Sequence, residues 1–297
     1  MSQTVNAYLQ ITLAMAIVGS SVVAGKLIVS SFPVFLASEL RFVVATIILI
    51  PILLIRENRF PSIKLKDFII LFIQALAGVF LFNIFMLYGL KFTTAIKAGI
   101  ITSTLPAFVG VASYLFLKEK LSFRKIVGII LAVLGVLSIN IVGGASQNIN
   151  SLYGNFLIFG AVIGETLFIT LGKYVSDRMS PLTISTMMSV FGVIMFFPFA
   201  VYEAKHFDFS SVHLFDWMNI LYFGIVVTVL AFLLMYEGLS KIQASSAGVF
   251  TSVLPVSAVL LSFIVLKEAI LLSHILGILL VIISILLISK DTSVNNT

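Results

Sequence analysis

Long apolar runs, separated by short charged stretches, leave this chain few ways to fold. Ten runs can be drawn, at 8–30, 34–55, 67–90, 95–117, 123–142, 152–174, 181–202, 214–236, 243–266 and 270–289. A helix crosses a bilayer with about 20 apolar residues. The chain is 60% hydrophobic and 10% charged, with mean hydropathy +1.20. A soluble domain of this size cannot hide so much apolar surface. The short connections predict no soluble domain, attached or inserted. There is no cysteine, which excludes disulfides and thiolate metal sites. No Lys or Arg precedes Lys26, so the first run reads as a retained span and not as a signal peptide.

The formal charge of +6 is better explained by membrane topology than by nucleic acid. Arg56, Arg59, Lys64, Lys66, Lys118, Lys120, Arg124, Lys125, Lys173, Arg178, Lys241 and Lys290 all fall on one side when the loops alternate. The other side holds only Lys26, Lys91, Lys97, Lys205 and Lys267. Positive residues stay inside, so both termini are expected to be cytoplasmic.

One stretch is repeated. Residues 89–137 align without a gap to 238–286: AGIITSTLP at 98–106 matches AGVFTSVLP at 247–255, and Leu117-Lys118-Glu119 matches Leu266-Lys267-Glu268. Five spans per half is an odd number, so the second copy enters the membrane upside down. The loop charges agree, since KEKLSFRK is strongly basic and its counterpart KEAILLSH is not. The expected fold is therefore an all-α integral membrane protein of ten transmembrane helices, arranged as two inverted five-helix repeats at 1–145 and 146–297.

Polar residues inside apolar spans are the candidate functional groups. Glu165 is the only acidic residue at mid-span, about 20 Å along its helix. It can bind a substrate ammonium group, carry a proton, or pair structurally with Arg41. Arg41 in the second span serves either an interhelical or headgroup contact or a substrate. Asn83 in the third span is either helix glue or cavity wall. Pro106 and Pro255 lie mid-span in the two copies and are expected to kink their helices. Thr102 and Ser103, with Thr251 and Ser252 in the second copy, can satisfy backbone groups that such kinks release, or face a substrate. Lys26 is placed to snorkel to the interface or to act in function. His206 and His213 lack zinc-site spacing; no metal and no cofactor is expected.

In order and duplication, Tyr88-Gly89-Leu90-Lys91-Phe92-Thr93-Thr94-Ala95, Ala98-Gly99 to Pro106, Leu117 to Ser122, Gly128 to Gly135, Leu40-Arg41-Phe42 and Gly19-Ser20 to Lys26 resemble the paired EamA-type domains of the drug/metabolite transporter superfamily. The resemblance implies a central cavity walled by spans 1, 3, 4, 6, 8 and 9, with spans 5 and 10 peripheral. It implies export, with amino acids or similar polar metabolites as the substrate class. Ala16-Ile17-Val18-Gly19 lacks the Trp often found before that glycine in the family. No phosphate-binding loop is present, so ATP is not expected to drive transport directly. The expected partners are a small-molecule substrate, the lipid bilayer and, as a candidate coupling ion, the proton. The expected location is the plasma membrane. Export of drugs or lipophilic cations is the alternative, suited by Glu165 and 27 Phe residues. A membrane enzyme would need clustered His or carboxylates at one face. A scaffold would not need polar residues converging on the midplane.

Overall fold

The structure, a computed structural model, describes residues 3–57, 63–118, 149–251 and 253–268, with scattered helical residues between 123 and 134 and between 272 and 283. Among these residues there is no strand, and eight helices are long and apolar enough to cross a membrane. They are α1 (Val5–Ser31), α2 (Val34–Glu57), α3 (Leu65–Phe92), α4 (Ala95–Leu117), α5 (Ser151–Ser176), α6 (Pro181–Lys205), α7 (Leu214–Leu239) and α8 (Ala244–Val265). The predicted limits of these eight spans lie within a few residues of the helices. The expected spans at 123–142 and 270–289 fall largely outside the described residues. Ile47, Ile55, Phe68, Phe72, Ile194 and Phe197 point outward and are exposed, as lipid-facing side chains should be.

Side-chain contacts fix the direction of each helix. α2 and α6 are antiparallel. Phe42 stacks on Phe196 with ring centroids 5.8 Å apart, and Phe35 stacks on Phe199 at 4.9 Å. Each helix also caps the other. The Glu203 carboxylate accepts from the Leu36 N–H at 2.8 Å, in the first turn of α2. At the opposite end, Glu57 accepts from the Ser180 hydroxyl and, at 3.0 Å, from that of Thr183, in the first turn of α6. Helix N-termini carry free N–H groups and partial positive charge, so an anion at each end pins the pair.

α3 runs against α5, and α1 runs against α7, through glycines. A Cβ on Gly89 would lie 2.6 Å from Ile158 and 3.1 Å from the Gly154 carbonyl; one on Gly238 would lie 2.4 Å from Ile11 and 3.1 Å from the Ala7 carbonyl. Gly89 and Gly238 are the first residues of the two sequence copies. Their packing therefore matches as well as their sequence.

α4 and α5 are parallel. Lys97 near the start of α4 donates to Ser151 at 3.1 Å, and Phe108 further along meets Phe159 at 5.3 Å, edge to face. The end of α4 and the start of α5 consequently lie on opposite faces of the helical layer. α8 is in turn parallel to α1, with Tyr8 stacked on Phe250 at 4.6 Å and Gly19 against Ser257.

α4 and α8 are each broken in two. The pieces are Ala95–Thr102 and Leu105–Leu117 in α4, and Ala244–Phe250 and Val253–Val265 in α8. Pro106 and Pro255 stand in the first turn of the second pieces, where a missing N–H costs nothing. The hydroxyls of Thr102, Ser103 and Thr104 return to the carbonyls of Gly99, Ile100 and Ile101, so the break leaves few groups unsatisfied in an apolar setting. The first piece of α4 packs on the second piece of α8, and the second piece of α4 on the first of α8. Two broken helices cross in opposite directions.

Among the described glycines, Gly19 at the α1–α8 contact makes the tightest approach. A Cβ on Gly19 would meet the Ser257 hydroxyl at 1.8 Å and the Leu254 carbonyl at 2.4 Å. Gly19→Ala is expected to destabilise the protein by at least about 1–3 kcal/mol, the usual cost of overpacking. Thermal unfolding in detergent should show a lowered Tm. Gly110 is the control: a Cβ there meets nothing within 4 Å, so Gly110→Ala should be neutral or slightly stabilising.

Candidate functional site

The site is built around a guanidinium about two turns into α2. α3 and α7 each contain a widened π-helical segment, Leu76–Leu81 and Phe223–Leu230. Such segments displace side chains from their regular helical positions and are frequent at functional sites. Asn83 follows the first, and Thr228 lies in the second. The buried Arg41 of α2 reaches both: its Nη1 donates to Asn83 Oδ1 at 2.8 Å and its Nε donates to Thr228 Oγ1 at 2.9 Å. Thr228 in turn donates to the Phe223 carbonyl at 2.8 Å, and Asn83 Nδ2 donates to the Val79 carbonyl at 2.5 Å. These bonds turn both acceptors toward Arg41. The rings of Phe42 and Phe223 lie 4.7 and 5.1 Å from the guanidinium carbon and add cation–π attraction. Arg41 thus ties α2, α3 and α7 together with neutral acceptors and rings.

Glu165 of α5 is equally buried, and its Oε2 has no hydrogen-bond partner among the described residues. The structural Glu165–Arg41 pair allowed by the sequence is not formed. The ion pairs among the described residues are Lys173–Asp177, Arg178–Asp67 and Lys241–Glu237, all near helix ends. Yet Arg41 and Glu165 line the same cavity, together with Ser21 and the apolar side chains of Met15, Phe82, Phe168, Phe232 and Met235. Its volume is about 40 Å³. That is room for one or two waters, not for a metabolite. A metabolite needs more room than this, so the walls must part to hold one.

Its walls come from α1, α2, α3, α5 and α7. This corrects the expected wall of spans 1, 3, 4, 6, 8 and 9. α2 enters through Arg41, while none of the described residues of α4 and α8 is in the lining. The reason is local. Thr102, Ser103 and Thr251 are buried and bond the carbonyls of Gly99, Ile100 and Gly248 in their own helices. α4 and α8 press on each other, with a Cβ on Gly99 only 3.0 Å from Ala258. Ser252 lies outside the described residues. Pro106 is buried at the helix break, and so is Pro255. Sequence reasoning did not assign Thr228 its bond to Arg41, nor Gln74 its place beside the cavity. Gln74 Nε2 donates to the Phe168 carbonyl and to the Tyr236 hydroxyl, both at 2.9 Å, and joins α3, α5 and α7. The signal available was a Gln and a Tyr in two apolar spans, each in need of a buried partner.

Membrane-length helices around a cavity lined by two unjoined charges define a class, a multi-pass membrane protein that handles a small molecule. The chain belongs to the EamA-like transporter family, whose profile matches residues 5–141 and again 152–290. It is 49% identical to the uncharacterized transporter YetK of Bacillus subtilis (strain 168), over 93% of this chain and 84% of that protein. It is 29% identical to an uncharacterized transporter of Archaeoglobus fulgidus, over 87% of this chain and 89% of that one. A protein of known crystal structure shares the fold, with a TM-score of 0.73 at 16% identity over 98% of this chain and 99% of its own. The protein is a multi-pass membrane transporter of this family.

Proposed function

We propose that the protein is a secondary transporter that exports small polar metabolites such as amino acids by alternating access. The carrying observation is that Arg41 and Glu165 line one cavity without pairing to each other. A zwitterion supplies both missing partners, a carboxylate for Arg41 and an ammonium for Glu165. When the site is empty, a proton on Glu165 relieves the same cost, so the proton is the proposed coupling ion.

The proposed architecture is ten spans in two inverted repeats, 1–145 and 146–297. Three observations support it. The end of α4 and the start of α5 lie on opposite faces, which calls for one more crossing between them. The pairs α2–α6 and α4–α8 are antiparallel. The packing of Gly89 on α5 matches that of Gly238 on α1. The loop charges favour cytoplasmic termini in the plasma membrane. Pro106 and Pro255, with the hydroxyls of Thr102, Ser103, Thr251 and Ser252, are proposed as the matched hinges that bring α4 and α8 to the solute when the cavity opens.

The wall of Phe82, Phe168 and Phe232 beside Glu165 favours a second reading, export of lipophilic cations. Counterflow in proteoliposomes separates the two. The first reading expects labelled amino acids to accumulate against an internal pool of the same solute. Accumulation of a cationic dye with no amino-acid counterflow would replace it with the second.

A further inference from the structure

Two lysines donate to equivalent carbonyls at opposite faces. Lys26, near the end of α1, donates to the Leu90 carbonyl and, at 2.6 Å, to that of Thr93. These carbonyls close α3, just before the turn into α4. Lys173, near the end of α5, donates at 3.1 Å to the Leu239 carbonyl, where α7 ends before the turn into α8. Gly89-Leu90 and Gly238-Leu239 open the two sequence copies, so the acceptors are equivalent. α1 ends beside the end of α3, with a Cβ on Gly25 3.2 Å from both Leu87 and Leu90, whereas α5 runs against α3. The two lysines therefore lie on opposite faces.

Each lysine meets a carbonyl that its helix leaves over. The Thr93 N–H is bonded to Gly89, which makes Leu90 the next carbonyl in line; at the end of α7 the Ser240 N–H is bonded to Tyr236, the Ser240 hydroxyl to Glu237 and the Lys241 N–H to Gly238, which makes Leu239 the next. On the Lys26 side a second tie crosses the same turn. Glu268, just past α8, accepts from the N–H groups of Ala95 and Ile96 at 2.9 and 2.8 Å, at the start of α4. Lys173 has a second bond of its own, to Asp177 at 2.7 Å.

In a closed, dry face these carbonyls depend on the lysine, because an unsatisfied carbonyl in an apolar setting is costly. In an open face, water serves both carbonyl and ammonium. The exchange is then close to even, as a reversible closure requires. We propose that Lys26 and Lys173 are matched latches, each holding the helix ends at its own face of the transporter together. This rests on the alternating-access reading above. Removing one latch penalises only the closed state of its own face.

The natural chain has no cysteine, so a single reporter thiol can be read without background. Val18, which lines the cavity, is the position for it. In a Val18→Cys background, a membrane-impermeant maleimide is applied to one side or the other of sealed vesicles of known orientation. Lys26→Met should raise labelling from one side by about ten-fold, the scale of losing a charged hydrogen bond. Lys173→Met should raise it by a similar factor from the other side. Lys26→Arg and Lys173→Arg, which keep the donors, should stay near the parent level. Where a Met variant does not elute as a folded species, the Lys→Gln variant takes its place, with an intermediate increase expected. Labelling that rises from the same side in both variants, or in neither while both elute as folded protein, would overturn the proposal. The readout needs no solute. A failed counterflow assay with side-specific labelling would therefore sink the transport reading and leave the latches standing.

Discussion

Glu165→Gln is expected to abolish the effect of a pH gradient on transport in proteoliposomes, while exchange of substrate between the two sides continues. Glu165 Oε2 is buried and has no hydrogen-bond partner among the described residues, and Arg41, although it lines the same cavity, forms no ion pair with it. A carboxylate so placed lowers its energy by taking a proton or a substrate cation. If the two occupants compete, release of one is tied to uptake of the other, and a pH gradient can drive solute. Gln has nearly the same shape and still offers a carbonyl oxygen to an ammonium group, so binding survives at reduced affinity. It cannot titrate. Gradient-driven accumulation should therefore fall to background, and exchange should persist with a raised KM. Proton dependence that is unchanged in the Gln variant would remove Glu165 from the coupling step.

Much of this arrangement was legible before any coordinates. Run length alone placed the helices, because a bilayer leaves the backbone few other choices. The repeat marked Gly89 and Gly238, Pro106 and Pro255 as equivalent, and the contacts around each pair match. Arg41, Asn83 and Glu165 stood out because polar groups in apolar spans need a reason. What was not legible is tertiary. No periodicity marks the π-helical segments at Leu76–Leu81 and Phe223–Leu230, yet they present Asn83 and Thr228 to Arg41. A Thr in an apolar helix ordinarily bonds its own backbone, as Thr102, Thr251 and Thr228 all do, so nothing in the sequence marks Thr228 as also accepting from Arg41. For Lys26 the sequence leaves snorkelling and a functional role both open, because its acceptors belong to another helix. The walls of the cavity follow in the sequence only from a family likeness, and the described residues of α4 and α8, packed on each other, stay out of them.

Arg41→Lys is the sharper test of what the solute must carry. The guanidinium has two tasks that a single cation cannot both perform. Its Nε and Nη1 hold Thr228 and Asn83, 2.9 and 2.8 Å away on two different helices. Two of its N–H groups are engaged in this way, which leaves the rest of a planar fork to meet an incoming carboxylate. Lys keeps the charge but not the fork. It can satisfy one acceptor and leave the other, or face the solute and leave both. Breaking a buried charged hydrogen bond costs about 1.5–3 kcal/mol, so a lowered Tm is expected. The functional effect should be selective. KM for a carboxylate-bearing solute should rise at least about ten-fold, because bidentate recognition is lost. Transport of a cation without a carboxylate should change little, since Glu165 is untouched. Measuring KM and maximal rate for an amino acid and a cationic dye side by side, with Tm as the record of structural damage, separates these effects. A wild-type KM for the amino acid in a destabilised Arg41→Lys protein would make Arg41 a strut between α2, α3 and α7, and would leave Glu165 as the only charge in the cavity that selects a solute.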